Sequence, residues 1–535
     1  MRIDLCSLGT FSGSWPLGEI VQIGPHVEDV AAAMERQAEG SADATLFWDP
    51  SLGAPPTDAH WFAALRADVV HAGLRLGTSG APTSIDFIAP TWMWSADPPS
   101  EIEATSWRLS LRACLIRHDV IRQLGGVRTE FRSLDAAALE LGHRYLTRGA
   151  FVRHDPALCP SKKPRALDIS LHDDLLFAVF RHGAFWARWA LGRGLLTGAY
   201  HLSGVPDALP ALSVRAPSVP AFVRERRVSS VDSATRVTAI LPTLERYPYL
   251  RQLLPQLAAQ THRLHEIIIV DQTPLDVREP DLAREFPALP IRTIYQEVPG
   301  QCTARNAALC AATGEYALFI DDDDEVEPDL VERHLATLVA YDVDASCGVA
   351  EEVGAGPIPE YQKFFRQSDV FPTNNSMIRL VALRRSGMFD LAYDRKMCED
   401  GDLGTRLYLA GAWMLLDPTI SVLHHHAPRG GLRTHGARAT TYASSRREIT
   451  HRNLPHISEV YLGMRYFTKR QVEEMLVLRS WGTLRAKGTR QLQAMKMLYG
   501  IARLRDTFKR VREAEKGARM LMQSYPQIDA LPENG

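Results

Sequence analysis

Four consecutive carboxylates, Asp321 to Asp324, directly follow an apolar run at residues 317–320. Such a run is typical of a strand buried on both faces, whose carboxyl end opens into a cleft. Adjacent like charges repel, so four carboxylates together are unfavourable unless a cation lies among them. Mg²⁺ binds proteins through one or two carboxylates together with substrate phosphates. The run predicts a metal-bridged diphosphate site, and a solvated acidic loop is the alternative.

Polar residues also follow two earlier apolar runs. Thr243 and Glu245 come after the run at 237–241, and Asp271 comes after the run at 267–270. Helical patterns separate these runs, so the alternation predicts a Rossmann-type α/β sheet. Ligands in such sheets bind beyond the carboxyl ends of the strands, where Thr243, Asp271 and the acid run are expected to meet.

Four segments in this order resemble a family 2 glycosyltransferase with the GT-A fold. They are Pro242–Arg246, Val270–Thr273, Asp321–Asp324 and Cys398–Leu407. The resemblance covers about residues 236–430 and implies an α/β catalytic domain with a Rossmann-like mixed sheet. It also implies an inverting, hexosyltransferase-type enzyme that moves a sugar from a nucleotide-sugar donor to an acceptor hydroxyl with Mg²⁺ or Mn²⁺.

The resemblance also implies roles for individual residues. Asp400 is the expected base for the acceptor hydroxyl, with Glu399 as its neighbour. The expected metal ligands are Asp321, Asp323 and a histidine, for which His424 is preferred and His426 is the second choice. The expected nucleotide-binding residues are Thr243, Glu245, Asp271, Arg305 and Asp322.

Each of these residues also has a simpler interpretation. Asp271 could be a turn residue at a strand end, and Arg305 could be a surface arginine near the N-terminus of a helix, a position that favours anions. Glu399 and Asp400 could complement a helix dipole. Residues 424–426 could form a surface histidine cluster. Asp402 and Arg406 are four residues apart and are expected to pair structurally along one helix face.

Composition limits the class of protein. The chain has 535 residues, 45% hydrophobic and 23% charged, with a formal net charge of -2, so nothing indicates a nucleic-acid partner. The seven cysteines are scattered without a CxxC pair, which fits a reducing compartment. The first residues lack the layout of a signal peptide. The expected location is the cytoplasm, with peripheral contact at the inner face of the membrane as an additional expectation.

Composition shifts predict four parts of the chain. These are a degenerate GT-A-like domain at 1–204, a linker at 205–235, the catalytic GT-A domain at 236–438 and a helical basic region at 439–535. Between residues 465 and 519 there are fifteen Lys and Arg against five Asp and Glu. This basic span indicates either a solvated helical face or contact with anionic lipid headgroups or a phosphorylated acceptor.

The degenerate domain is inferred from an internal repeat. At an offset of 262, Asp155-Pro156 matches Asp417-Pro418 and Gly125 matches Gly387. At the same offset Ala137 and Ala138 stand in place of Glu399 and Asp400, the acid pair. Lys162 stands in place of His424. At a different offset, Ser51 and Leu52 stand in place of Asp323 and Asp324. Because alanine accepts no proton, the repeat predicts a non-catalytic partner domain for acceptor binding or assembly, and the alternative is coincidental similarity of two α/β domains.

Two other functions remain open. A sugar nucleotidyltransferase also uses an acidic metal site, but it would favour a glycine-rich loop after the first strand, and residues 242–246 contain no glycine. A scaffold protein with two inactive domains is the other, although the intact acid run and acid pair argue against it. For the transferase, a polysaccharide, lipid-linked or protein acceptor is expected, in cell-surface polysaccharide or glycoconjugate assembly.

Overall fold

The computed structural model describes residues 1–88, 93–354, 356–425, 427, 431, 449–450, 452, 454–485 and 488–533. The chain divides into two compact units. The first unit comprises Met1–Arg227, Phe364–Gln367 and Tyr408–Leu415, and the second comprises Val228–Lys363, Ser368–Leu407 and Leu416–Gly535.

Residues 205–227, expected as part of the linker, belong to the first unit. The Phe222 N–H donates to the Arg148 carbonyl over 2.7 Å. Arg224 donates to a carboxylate oxygen of Asp68 over 2.5 Å. These contacts anchor the segment, so the division lies near Arg227 rather than at residue 204.

The elements before residue 228 form the first sheet and its covering helices. They are β1 (Ile3–Leu8), β2 (Ile20–Ile23), α1 (Val27–Glu39), β3 (Ala44–Trp48), α2 (Ala59–Ala64), β4 (Val69–His71), β5 (Ala104–Thr105), β6 (Ala113–Arg117), α3 (His118–Leu124), α4 (Leu134–Thr147), β7 (Val152–His154), α5 (Leu171–His182), α6 (Ala184–Leu196) and α7 (Val205–Ala208). The first sheet has the strand order β2-β1-β3-β6-β4-β7-β5.

The remaining elements include the strands of the second sheet. They are β8 (Val237–Thr243), α8 (Tyr247–Ala258), β9 (Glu266–Asp271), β10 (Ile291–Tyr295), α9 (Gln301–Ala311), β11 (Tyr316–Ile320), β12 (Asp324–Val326), α10 (Leu330–Tyr341), β13 (Ala345–Glu352), β14 (Arg366–Gln367), β15 (Asn375–Arg379), α11 (Leu380–Ser386), α12 (Glu399–Leu409), β16 (Met414–His424), α13 (Ile457–Tyr466), α14 (Lys469–Gly482), α15 (Arg490–Ala502) and α16 (Leu504–Ser524). The second sheet has the order β10-β9-β8-β11-β15-β13-β16-β12.

The second sheet is mixed rather than wholly parallel. Strands β8 to β11 run parallel to one another, as the apolar runs of β8, β9 and β11 predict, and β15 runs antiparallel to both β11 and β13. The carboxyl ends of β8, β9 and β11 therefore share one edge of the sheet. This edge carries Thr243, Asp271 and the acid run.

The two units share a strand order. The run β2-β1-β3-β6-β4-β7 in the first sheet corresponds to β9-β8-β11-β15-β13-β16 in the second. Strands β6 and β15, and helices α3 and α11, have the same bounds at the offset of 262. Between β1 and β3, all of which the structure describes, the first unit has only β2 and α1. The second unit has α8, β9, β10 and α9 in that interval, so the first is a shortened version of the same fold.

The C-terminal helices pack on the second unit through buried hydroxyls. The Tyr461 hydroxyl donates to Asp390 over 2.7 Å, and the Tyr466 hydroxyl donates to Asp402 over 2.6 Å. The helical character expected for this region is confirmed. In the described parts of the chain, no helix is both long enough and apolar enough to cross a bilayer.

Candidate active site

The acid run lies where β11 ends and β12 begins. Asp321, the first residue after β11, is partly open to solvent, whereas Asp322, Asp323 and Asp324 are buried. The carboxylate of Asp324 accepts the backbone N–H of Asp321 over 2.9 Å. This bond closes a tight loop that holds the neighbouring carboxylates together. The run is therefore a folded cluster and not a solvated acidic loop.

His424 joins the cluster because β12 pairs antiparallel with the end of β16. The pairing sets Asp324 directly opposite His424, and the His424 Nδ1 lies 2.8 Å from an Asp324 oxygen. One ligand atom each from Asp321, Asp323 and His424 lies within 4.8 Å of the others. Two carboxylates and an imidazole at this spacing form a donor set that a divalent cation can bind.

Burial and neighbouring charges shift the pKa values of the paired Asp324 and His424. Burial raises the pKa of Asp324 to about 7, although the bond to His424 opposes the shift. Burial alone would lower the pKa of His424, but the bond and charge of Asp324 outweigh it, and with the charges of Asp321 and Asp323 the pKa rises to about 9. A proton on His424 therefore offsets part of the carboxylate charge in this structure.

Arg246 is part of the site, and the sequence interpretation assigned it no role. Its Nη1 donates to Asp322 over 2.7 Å and to Asp323 over 3.1 Å. The Thr243 hydroxyl donates to the other oxygen of Asp322 over 2.7 Å. Burial raises the pKa of Asp322 to about 6, against the opposing charge of Arg246. The signal was present, because Arg246 closes the same five-residue segment as Thr243.

Asp322 was expected to bind the nucleotide, but in the structure its carboxylate accepts hydrogen bonds from the protein itself. Both of its oxygens accept bonds from β8 and the loop after it, through Thr243 and Arg246. Asp322 is 3% exposed, so little of it is open to a ligand. A contact between Asp322 and a nucleotide stays a prediction.

Asp271 lies at the end of β9, on the same sheet edge. The Tyr247 hydroxyl donates to its Oδ2 over 2.7 Å, and the Thr273 N–H donates to its Oδ1 over 2.9 Å. The expected turn contact is therefore present, and it fixes the direction of the carboxylate. Glu245 is exposed nearby with a left-handed backbone (φ 57°), and its N–H donates to the Thr273 hydroxyl over 2.9 Å. A contact of either acid with a nucleotide stays a prediction.

Arg305 is buried on α9 and is not the surface residue of the alternative interpretation. Its Nη2 donates to Asp321 over 3.1 Å, and its Nη1 lies 3.7 Å from a Glu399 oxygen. Neither its Nε nor its Nη1 has a hydrogen-bond partner in the described structure. The N-terminus of α9 itself already holds an anion, because Asp394 accepts the N–H groups of Cys302 and Thr303. Arg305 therefore reaches the site with its side chain, and the helix N-terminus offers no open anion site.

Glu399 and Asp400 begin α12. Burial raises the pKa of Glu399 to about 7, the charge of Asp400 adds to the shift, and Arg305 opposes it. Asp400 is exposed, and desolvation by the surrounding protein raises its pKa against the bond from the Gly401 N–H and the charge of Arg305. A carboxylate with a raised pKa in a cleft has the properties of a general base near neutral pH.

The acid pair and the acid run are brought together by Arg305, which contacts Asp321 on one side and approaches Glu399 on the other. Helix α12 is fixed in that position from inside the protein. Arg406 donates twice to one oxygen of the buried Asp402, Oδ2, from Nε over 2.9 Å and from Nη2 over 2.7 Å, and this expected structural pair is confirmed. The dipole interpretation of the acid pair is compatible with this geometry, because both residues occupy the first turn.

Parts of the predicted site lie outside the described residues. His426 is one of them, so its expected role as second-choice ligand stays a prediction. Gly431 beyond it is described, and its N–H donates to the Leu244 carbonyl over 2.8 Å. His425 has a different partner, since its Nε2 lies 3.0 Å from Glu325. Among the described histidines of this cluster, His424 is the one that joins the acid run.

Comparisons with known proteins bear on the family of the second unit. The family model described as Glycosyl transferase family 2 matches residues 238–390. Glycosyltransferase GlyA of Streptococcus pneumoniae is 33% identical over 115 residues, which is 21% of this chain and 16% of GlyA. A Bacillus subtilis protein named for teichuronic acid biosynthesis, TuaG, is 31% identical over 102 residues, which is 18% of this chain and 40% of TuaG. The chain thus spans less than half the length of these curated relatives.

A solved structure of Staphylococcus aureus TarS residues 1–349 in complex with UDP covers 50% of this chain and 71% of that chain, with 16% identity and a TM-score of 0.32. The fold and the acidic site define the second unit as a GT-A-type α/β domain. The match over residues 238–390 includes three of the four segments and confirms the resemblance to glycosyl transferase family 2.

Proposed function

We propose that the second unit is an inverting glycosyltransferase that moves a sugar from a nucleotide-sugar donor to an acceptor hydroxyl. The observation that carries the proposal is the convergence of two acidic groups on Arg305. On one side lies the donor set of Asp321, Asp323 and His424, and on the other lie Glu399 and Asp400. A leaving diphosphate and an attacking hydroxyl need these two kinds of group on opposite sides of the reacting carbon.

The residues of the donor set fit a divalent cation. Their ligand atoms are close enough to share one ion, and the raised pKa of His424 reflects surplus negative charge that an ion would neutralise. Bound there, Mg²⁺ or Mn²⁺ would offset the charge that develops on the departing diphosphate. Because an imidazole ligand must be neutral, binding the ion requires that His424 release its proton.

Arg305 fits a phosphate-binding role beside the donor set. Two of its guanidinium nitrogens, Nε and Nη1, have no hydrogen-bond partner in the described structure although Arg305 is 5% exposed. A buried donor without a partner is unfavourable, and a phosphate oxygen would satisfy it. Arg305 also holds the pKa of Glu399 below the value that burial and Asp400 would otherwise give it.

Asp400 is the proposed general base. Its carboxylate is open to solvent, so an acceptor hydroxyl can approach it, and its raised pKa suits proton abstraction near neutral pH. Attack from the side opposite the leaving group in a single displacement inverts the configuration at the reacting carbon. Glu399 is proposed to orient the acceptor, because it lies beside the base and is anchored near Arg305.

The rival functions are less well supported. A nucleotidyltransferase has to grip a triphosphate after the first strand, but that loop uses Arg246 to bind Asp322 and Asp323. An inactive scaffold would not need a buried acid cluster that carries surplus charge. The name of TuaG adds support for a polysaccharide acceptor. We extend the proposal to cell-surface polysaccharide or glycoconjugate assembly, with the protein in the cytoplasm.

The experiment is a thermal-shift screen of the full chain with UDP, GDP, CDP and dTDP, each with and without Mn²⁺. A ligand that binds only the folded state raises its apparent stability. We expect one nucleotide to raise Tm with Mn²⁺ and to have no effect with EDTA, and the matching nucleotide sugar to be hydrolysed slowly. No shift with any nucleotide, or a shift without hydrolysis, would contradict the transferase proposal.

We also propose that the C-terminal helices bring the enzyme to an anionic membrane surface. Met495, Leu498 and Ile501 are exposed at three-residue spacing on α15. On α16, Phe508 is exposed beside cations on the same helix face, namely Arg505, Lys509, Arg512 and Lys516. Exposed apolar side chains flanked by lysine and arginine suit the headgroup region of an anionic bilayer. These eight residues are called the basic apolar surface below.

A further inference from the structure

Asp49 in the first unit occupies the position that Asp321 occupies in the second. Each directly follows a strand, β3 or β11, and those strands pair with β6 and β15 in the same antiparallel register. The partner of Asp49 is a guanidinium, since the Arg112 Nε donates to its Oδ2 over 2.7 Å. Arg112 also bonds the Lys163 carbonyl and the Ser51 hydroxyl. An arginine of the chain therefore supplies the positive charge that a metal ion is proposed to supply in the second unit.

A cavity of about 330 Å³ opens at this position. Ligand pockets range from about 300 to 1,000 Å³. The residues that matter for its chemistry are Leu8 at the end of β1, Asp49 and Arg112, Leu134 and Asp135 in the first turn of α4, and Arg165. Arg165 donates to Asp135 over 3.1 Å and is half exposed, so the cavity is open to solvent.

The cavity lacks the groups that a nucleotide diphosphate needs. The carboxylate of Asp323 is replaced by the hydroxyl of Ser51, and Asp49 already has a cationic partner. Strand β2 ends at Ile23, whereas β9 ends at Asp271. The elements on the nucleotide side of the second unit, α8 and β10, have no counterpart between β1 and β3, an interval that the structure describes in full.

The lining fits an uncharged ligand rich in hydroxyl groups. Its two carboxylates and two guanidiniums balance in charge, and each acid is paired with an arginine. Carboxylate oxygens accept and guanidinium groups donate hydrogen bonds, so each pair can bind adjacent hydroxyls of a sugar ring. Leu8 and Leu134 offer apolar surface to the C–H face of such a ring.

We propose that this cavity binds a neutral carbohydrate segment without a metal ion. Its identification as the acceptor glycan rests on the transferase function proposed above, whereas the binding itself does not. On this proposal the first unit holds the growing saccharide while the second unit supplies the donor. The alanines at positions 137 and 138 agree with binding without turnover, because they cannot accept a proton.

The test is saturation-transfer NMR on the full chain in EDTA, with maltohexaose, cellohexaose, N-acetylchitohexaose and mannohexaose as probes. We expect one of them to bind. Arg165→Gln and Asp135→Asn should each weaken its Kd at least tenfold. Because Arg165 is half exposed, Arg165→Gln should fold. Arg36 is an exposed arginine on α1 away from the cavity, so Arg36→Gln is the matched control and should leave Kd unchanged.

Three outcomes would overturn the proposal: no probe binds, binding is insensitive to both cavity variants, or UDP or GDP binds in EDTA and is lost in Arg165→Gln. The last would make the cavity a nucleotide site. The same protein samples are screened for the nucleotide shift with Mn²⁺. A retained shift with no carbohydrate binding overturns this inference alone, and carbohydrate binding without any shift overturns the transferase proposal alone.

Discussion

At the residue scale, Asp323 is the side chain on which the proposed metal site depends most. Its Oδ1 accepts from Arg246 and its Oδ2 accepts the Ala427 N–H over 2.6 Å, so the carboxylate is fixed in direction. Asp323→Asn removes one negative charge and puts an NH₂ group against a donor. We expect kcat with Mn²⁺ to fall by about 10²–10³, the range seen when one preorganised electrostatic group is removed.

The measurement is initial-rate hydrolysis or transfer with saturating Mn²⁺. The matched control is Asp329→Asn, an exposed aspartate that pairs with Arg333 at 2.7 Å and lies away from the cluster. The control should keep full activity and the full nucleotide-dependent Tm shift. Activity of Asp323→Asn within about tenfold of the parent would rule out its proposed role as a ligand.

The acid pair predicts how activity depends on pH. A base acts only when deprotonated, and the pKa of Asp400 is raised, so kcat/KM should be lost on acidification at a higher pH than an ordinary aspartate would give. The pKa of Glu399 beside it is raised to about 7. Two neighbouring carboxylates raise each other's pKa. Glu399→Gln removes one charge, so the remaining base should ionise at lower pH and the acidic limb should move toward lower pH.

A profile of kcat/KM between about pH 5 and pH 9 tests this, with Asp400→Asn as the companion variant. Asp400→Asn should lose about 10²–10⁴ in rate at every pH, as expected when a general base is removed. An acidic limb that stays in place in Glu399→Gln would mean that the pair does not titrate together. A limb that persists in a fully active Asp400→Asn would assign the base elsewhere.

The sequence predicted which residue types form the site better than which residues contact one another. The acid run, Asp271 and the acid pair could all be named because each follows a strand or precedes a helix. The bonds from Arg246 to Asp322 and Asp323 join residues 76 and 77 positions apart and arise from the adjacency of β8 and β11. The sequence preferred His424 among the three histidines, but its place opposite Asp324 comes from the register of β12 against β16. Such long-range pairing has no local signature in one sequence.

At the scale of elements, α12 and α4 are anchored in the same way. Arg406 Nη1 donates to the carbonyls of Ser386 and Gly387, and Arg144 Nη1 donates to those of Leu124 and Gly125. These four acceptors are equivalent at the offset of 262. Each arginine also pairs with a buried acid four residues earlier in the chain. Arg406 pairs with Asp402, and Arg144 pairs with Glu140. The repeated helix is therefore fixed by one arginine in both units.

The two anchors differ in how many cations surround the acid, which predicts unequal effects of the same substitution. Arg406 is the arginine paired with Asp402, whereas Glu140 also pairs with Arg128 and Arg181. Arg406→Ala should destabilise α12 by about 3–5 kcal/mol, because it leaves a buried carboxylate without its cation. Arg144→Ala should destabilise α4 by less.

Hydrogen exchange of peptides from α12 and α4, followed by mass spectrometry, measures the free energy of local opening in each variant. Helix α10, which lies outside both anchors, is the internal reference. An equal loss in both helices, or a larger loss in α4, would contradict the account based on surrounding cations. The strands could be predicted from apolar runs, but this difference between the units depends on Arg128 and Arg181, which approach Glu140 from other parts of the fold.

At the scale of the whole molecule, the chain repeats one fold and adds C-terminal helices to the second copy. The family resemblance implied the mixed sheet, the internal repeat predicted the shortened first copy, and composition predicted the helical region. The assignment of residues 364–367 and 408–415 to the first unit was not, because it depends on contacts far apart in sequence. An example is the bond from the Val152 N–H to Gln367 over 2.8 Å. A single sequence carries no local signal for how a continuous chain is shared between two cores.

The basic apolar surface makes a prediction for the location of the whole chain. Each lysine or arginine near an anionic bilayer contributes about 1 kcal/mol, and exposed apolar side chains add burial in the headgroup region. We expect the full chain to co-sediment with phosphatidylglycerol-containing vesicles and not with phosphatidylcholine vesicles. Raising salt from about 0.1 M to 1 M shortens the screening length from about 10 Å to about 3 Å, so binding should fall steeply.

The double reversal Lys509→Glu and Arg512→Glu should weaken vesicle binding by far more than tenfold, because four units of charge change on one exposed face of α16. Leu498→Ser should weaken binding at high and low salt alike, since it removes apolar contact without changing charge. Lys363→Glu, at an exposed lysine paired with Glu360, is the matched reversal and should have little effect. Binding that tolerates the double reversal, or that is equal on neutral vesicles, would leave the helices as a solvated face, the alternative that the sequence left open.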